Sequence, residues 1–68
     1  MKKLLSVIVP AYKKEELIKK DLEDIERTLR RSLDTGFDYE ILCVVDGAVD
    51  QTAAEARKIR SQKVRVYE

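Results

Sequence analysis

The spacing of apolar positions changes along the chain, and each change marks an element. Leu4-Leu5-Ser6-Val7-Ile8-Val9 is short, β-branched and almost continuously apolar. That is how a strand buried on both faces reads, and parallel sheets supply such strands. Pro10 predicts its end, because proline cannot donate to a ladder. From Glu15 to about Leu33 the period becomes helical: Ile18, Leu22, Ile25, Leu29 and Leu33 recur three or four residues apart, and Leu17 widens the stripe at its start. Glu15 and Glu16 near the beginning and Arg30 and Arg31 near the end suit the helix dipole. Asp34-Thr35-Gly36 predicts the stop, with Gly36 as a left-handed cap.

Asp38 to Val45 reads as a second strand. Thr52-Ala53-Ala54-Glu55 matches a capping box, so a second helix is predicted from Thr52 to about Ser61. Its small residues Ala53, Ala54 and Ala56 let it lie close on a sheet, beside Ile59. Val64-Arg65-Val66-Tyr67 alternates and reads as a third, less deeply buried strand. The order β-α-β-α-β predicts an α/β fold, a three-stranded parallel unit with right-handed crossovers. No repeat, low-complexity tract or linker divides it, and residues 1–68 read as a single domain.

Size and charge narrow the function. A chain of 68 residues buries only about 60% of its unfolded surface, so its core is thin. Lys and Arg (14) nearly balance Asp and Glu (13), which removes any bulk electrostatic case for nucleic acid or an anionic membrane. No run approaches the ~20 apolar residues of a membrane span. Met1-Lys2-Lys3 and the following apolar run lack a cleavage-site pattern, so the expectation is a cytoplasmic chain. Cys43 has no second Cys and no His to join it in a disulfide or zinc site, and it reads as a buried, inert thiol.

The richest chemistry lies in Val45-Asp46-Gly47-Ala48-Val49-Asp50-Gln51-Thr52, an acidic turn between the second strand and second helix. In open α/β sheets, ligands bind in the crevice beyond the carboxyl ends of the strands. An Asp held there accepts hydrogen bonds from a sugar hydroxyl or base N–H. Asp46 and Asp50 also have a plainer reading, as turn and capping residues. Tyr12, similarly, is either a ligand platform or a cover for the sheet end.

Two motifs together resemble family 2 glycosyltransferases. Ser6-Val7-Ile8-Val9-Pro10-Ala11-Tyr12, followed by Lys13-Lys14-Glu15-Glu16, resembles their opening strand, Pro-Ala-Tyr-Asn-Glu-Glu and long helix. Val44-Val45-Asp46-Gly47-Ala48-Val49-Asp50-Gln51-Thr52 is similar to their second signature, Val-Asp-Asp-Gly-Ser-x-Asp-x-Thr. The pattern is nearest the dolichyl-phosphate mannosyltransferase-like and polyprenyl-phosphate sugar transferases. The resemblance implies the N-terminal part of a glycosyltransferase A-type (Rossmann-like) fold, which holds the nucleotide of a UDP- or GDP-linked sugar donor. The implied nucleotide-binding residues are Pro10, Ala11, Tyr12, Val44, Asp46 and Gly47, with Asp50 shaping the turn. Lys13 and Lys14 stand where the family has Asn and its first Glu. Val45 replaces the first Asp of the pair, and Ala48 the Ser after Gly.

The family's Asp-x-Asp, which binds a divalent cation such as Mg or Mn, and its catalytic base lie downstream of the matched motifs. The expectation is therefore a truncated nucleotide-sugar-binding subdomain with no cofactor or metal of its own, weak nucleotide affinity and no turnover alone. A non-catalytic oligomerising module is the alternative. Topology adds a physical expectation. Strand order 3-2-1 puts both helices on one sheet face and leaves the other bare, with strand 1 as an open edge; order 2-1-3 covers both faces. A bare apolar face or open edge predicts self-association.

Overall fold

The computed structural model describes residues 3–32, 36–47 and 49–68. Leu33 of the helical stripe, Asp34 and Thr35 of its stop, and Ala48 of the acidic turn lie outside them, and the cap geometry predicted for Gly36 depends on the first three. Strand β1 (Lys3–Ala11), helix α1 (Ile18–Ser32), strand β2 (Phe37–Val45), helix α2 (Thr52–Ala56) and strand β3 (Val64–Tyr67) follow in order. The sheet is parallel with order β1-β2-β3, so the chain crosses it in one direction and the order 2-1-3 is not adopted.

One core forms between the sheet and the two helices. Ala11, Tyr39, Ile41, Cys43 and Val45 from the strands meet Ile18 and Leu22 of α1 and Ala53 and Ala56 of α2. Val7, Val9, Val64 and Val66 close its margins. These strand positions are odd in β1 and β2 and even in β3, as the register Val9↔Cys43↔Val66 requires. The opposite face carries Leu4, Ser6, Ile8 and Pro10, then Asp38, Glu40, Leu42 and Val44, then Arg65 and Tyr67. On it Ile8 is 66% exposed and Leu4 60%. The apolar runs that read as doubly buried strands are thus covered on one face only.

Several local expectations change. β1 runs through Pro10 to Ala11 instead of stopping at Pro10. Lys3 N–H donates to the Gly36 carbonyl at 3.0 Å, and the Ala11 carbonyl accepts Asp46 N–H at 2.9 Å. Odd residues of β1 therefore bond toward β2, and Pro10 has its missing donor on the free edge, where it costs no ladder bond. α1 begins at Ile18 after a turn over residues 15–17, with Ile18 N–H closing on the Lys14 carbonyl at 2.7 Å. The acidic residue of its first helical turn is Asp21 rather than Glu15 or Glu16. Helix α2 is shorter than predicted: after Ala56 the chain tightens, Ile59 N–H bonding the Ala56 carbonyl at 3.2 Å. Cys43 is fully buried, and burial pushes its thiol pKa up.

The helix surface also pairs differently. Asp24 takes both Lys20 (3.0 Å) and Arg27 (2.9 Å), in place of the pairs Glu16–Lys20 and Glu23–Arg27 that helical spacing suggests. Glu16 precedes the helix, so the spacing rule does not reach it. Glu26, by contrast, is buried. It is only 6% exposed, and its Oε2 accepts the Tyr39 hydroxyl at 2.9 Å and the Ser61 hydroxyl at 2.6 Å, with Arg30 at 3.3 Å.

Candidate nucleotide crevice

The carboxyl ends of β1 and β2 lie side by side, with Pro10 opposite Val44 and Ala11 opposite Val45. Pro10 and Val44 are on the exposed sheet face, whereas Ala11 and Val45 are on the core face and are buried. Ala11 thus presents its side chain to the core and its carbonyl to Asp46 N–H, which extends the pairing one residue past the strand. The Asp46 carboxylate is exposed and has no hydrogen-bond or ion-pair partner among the described residues. Tyr12, next along the chain from Ala11, is 52% exposed.

Gly47 adopts φ +78°, which a side chain bearing Cβ rarely adopts, and this fixes the turn after Asp46. A Cβ there would sit 3.8 Å from Tyr12 Cε1, an ordinary contact, so the backbone rather than crowding requires glycine. The approach nevertheless brings Tyr12 to the acidic turn. Pro10, Tyr12, Val44, Asp46 and Gly47 accordingly gather at one end of the sheet.

A second set of bonds ties the two loops together. Lys14 N–H donates to Thr52 Oγ1 at 2.8 Å, and Thr52 donates its hydroxyl to Asp50 Oδ1. Thr52 N–H reaches the same oxygen at 2.9 Å, and Glu15 N–H also bonds Asp50. The Thr52 hydroxyl, its amide, Glu15 N–H and the nearby Lys13 charge hold the Asp50 carboxyl below its usual range, against some desolvation. The capping box is therefore not formed. Thr52 is the first helical residue, fully buried, and the N-cap Gln51 makes no side-chain cap bond. Asp50 does the capping, and Thr52 bridges to the loop after β1.

Beside this bridge lies a recess of about 280 Å³ lined by Lys13, Lys14, Glu15, Glu16, Leu17 and Asp50. Lys13 has φ +52°, and its Nζ lies 5.4 Å from the Tyr12 ring centroid. A recess of about 290 Å³ near Glu26, Arg30, Arg60 and Ser61 is far along α1 from this end; the Glu26 carboxylate there is already engaged by its neighbours. Among the described residues no three His, Cys, Asp or Glu side chains group to hold a metal ion. None of the described helices is long and apolar enough to cross a membrane.

Comparison with known proteins agrees with the motif resemblance. The sequence model of glycosyl transferase family 2 matches residues 6–68. Dolichyl-phosphate beta-glucosyltransferases of Homo sapiens and Mus musculus are each 39% identical to the chain over 70 residues, a match covering 94% of this chain. The chain spans only 22% of the length of these relatives. No solved structure matches it.

Proposed function

This chain belongs to glycosyl transferase family 2, and from that membership we propose that residues 1–68 form a nucleotide-sugar-binding subdomain, one wall of a donor site. Tyr12 offers a ring face to the base, Pro10 and Val44 form its apolar floor, and Asp46 accepts hydrogen bonds from base N–H or ribose hydroxyl groups. Gly47 lets the acidic turn approach, and Ala11 contributes backbone only. The observation that carries this reading is the exposed Asp46 carboxylate, without a partner among the described residues, next in sequence to the Gly47 that lies against Tyr12 at the carboxyl ends of two adjacent parallel strands. The relatives are named for glucose and dolichyl phosphate, which makes a glucosyl donor and a polyprenyl-phosphate acceptor the first pair to test for the whole enzyme.

A half-open wall with one platform and one carboxylate gives weak binding, with a Kd of about 1 mM, roughly −4 kcal/mol. Titrating UDP and GDP against labelled protein tests it. Amide shifts concentrated at Tyr12, Asp46 and Gly47 are expected. Asp46→Ala removes a charge-assisted hydrogen bond of about 1.5–3 kcal/mol, which takes this binding below detection. Shifts absent at millimolar nucleotide in the parent protein would refute the donor site.

The bare sheet face favours a second reading, an oligomerising module whose partner is another copy of the chain. Strands ~4.8 Å apart, rising ~3.3 Å per residue, give the face an area of about 400 Å². That is about half of what a standard complex buries on each partner. A second copy stacked there is therefore held weakly, and more firmly where the free edge of β1 joins in. Because Pro10 and Val44 belong to both surfaces, nucleotide and self-association compete. Sedimentation velocity with and without UDP separates the readings: a multimer indifferent to UDP and to Asp46→Ala supports the module alone.

A further inference from the structure

Lys13 is the one non-glycine residue with positive φ among those described, and a lysine rarely adopts that left-handed backbone. Bonds on both sides hold it there. Before it, Ala11 accepts Asp46 N–H; after it, Lys14 donates to Thr52 Oγ1 while its carbonyl takes Leu17 N–H at 2.9 Å and Ile18 N–H. The constrained turn brings the Lys13 ammonium over the half-exposed Tyr12 ring, 5.4 Å from its centroid. This is cation–π geometry.

We infer that Lys13 is a resident occupant of the nucleobase platform, which an incoming base must displace and which then turns to the donor's phosphates. The inference rests on the reading of Tyr12 as the base platform. A base stacked on Tyr12 takes the ring face that the ammonium covers, and stacking outweighs an exposed cation–π contact, so displacement proceeds at a cost in affinity. The displaced ammonium stays on a flexible stem whose backbone is fixed in the crevice. The neighbouring side chains Glu15, Glu16, Asp46 and Asp50 repel phosphate, which leaves Lys13 and Lys14 as its cationic partners at this end. A neutral nucleoside meets only the cost of displacement, whereas a nucleoside diphosphate recovers it as an ion pair. Lys13 thus selects nucleotides over nucleosides.

The test compares uridine and UDP binding to the parent chain, to Lys13→Asn and to Lys13→Arg, following Tyr12 ring and Asp46 amide signals. Asn tolerates the left-handed backbone, so this variant removes the cation while keeping the turn. Lys13→Asn is expected to bind uridine about two- to five-fold more tightly and UDP no more tightly than the parent, and Lys13→Arg to keep the parent ratio. Uridine affinity unchanged or weakened in Lys13→Asn, with UDP binding intact in the parent, overturns the role of Lys13 and leaves the donor site standing. Absence of binding by either ligand in all three proteins overturns the donor site itself.

Discussion

Glu26 joins three elements through one carboxylate oxygen, which accepts from Tyr39 on β2 and Ser61 before β3 while its own backbone lies in α1. Burial alone would raise its pKa, but the Ser61 and Tyr39 hydroxyls and the Arg30 charge outweigh it and leave the group below the ordinary glutamate value. The unfolded chain therefore binds this proton more readily than the folded one. The stabilisation from Glu26 is complete above about pH 4.5 and is lost as pH falls through the lower folded value. Urea titrations at neutral pH are expected to show Glu26→Ala less stable by about 1–3 kcal/mol, since it strands two hydroxyls, and Tyr39→Phe by about 0.5–1.5 kcal/mol. At pH 3 the difference between parent and Glu26→Ala should narrow. Glu26 was legible in principle: it follows Ile25 on the apolar stripe, and a Tyr on the core face of β2 needs a partner for its hydroxyl. Among charges spaced evenly along α1, that signal is easily taken for solvated surface. Lys13 shows the converse. The family's Asn at this position matches the left-handed backbone found here, a requirement of the turn that the sequence motif alone presents as a possible ligand contact.

Elements were legible where their cause is local. The third strand falls on Val64–Tyr67 as its alternation predicts, and the second differs by one residue, because β-branched runs carry their own preference for a pleated, half-buried surface. The start of α2 falls at Thr52 as predicted, but its capping differs, because the cause is distant. Thr52-Ala53-Ala54-Glu55 satisfies the box pattern, yet the Thr52 hydroxyl is engaged by Lys14 N–H, 38 residues away in sequence. That bond makes Thr52 a clamp between the loops of the candidate site. Thr52→Val preserves shape but leaves Lys14 N–H and the Asp50 carboxylate short of a partner. It is expected to destabilise the chain by about 1–3 kcal/mol and to speed hydrogen exchange at Lys14 above the change seen in the sheet.

At the scale of the molecule, two layers do the work that α/β folds usually share among three. The radius of gyration is 12.3 Å, against about 11 Å for a compact domain of this length. The order β1-β2-β3 was one of two that the element order allowed, and the sequence could not choose between them, because each face of β1 and β2 carries apolar side chains. With the order fixed, Leu4, Ile8, Val44 and Tyr67 remain substantially exposed on a single face. Ile8→Lys places a charge on that face, in its edge strand, without entering the core. It is expected to shift sedimentation toward monomer while changing the urea midpoint little; an unchanged association state would refute association through the face.

Pro10 bears on that edge in another way. The outward amides of β1 belong to Leu4, Ser6 and Ile8, and the series ends where Pro10 has none to give. Any strand laid along this edge is therefore held through the lower two-thirds of β1 and comes unzipped just short of Tyr12. The proline acts as a ruler, marking how far the sheet can grow before the rim of the crevice must stay open.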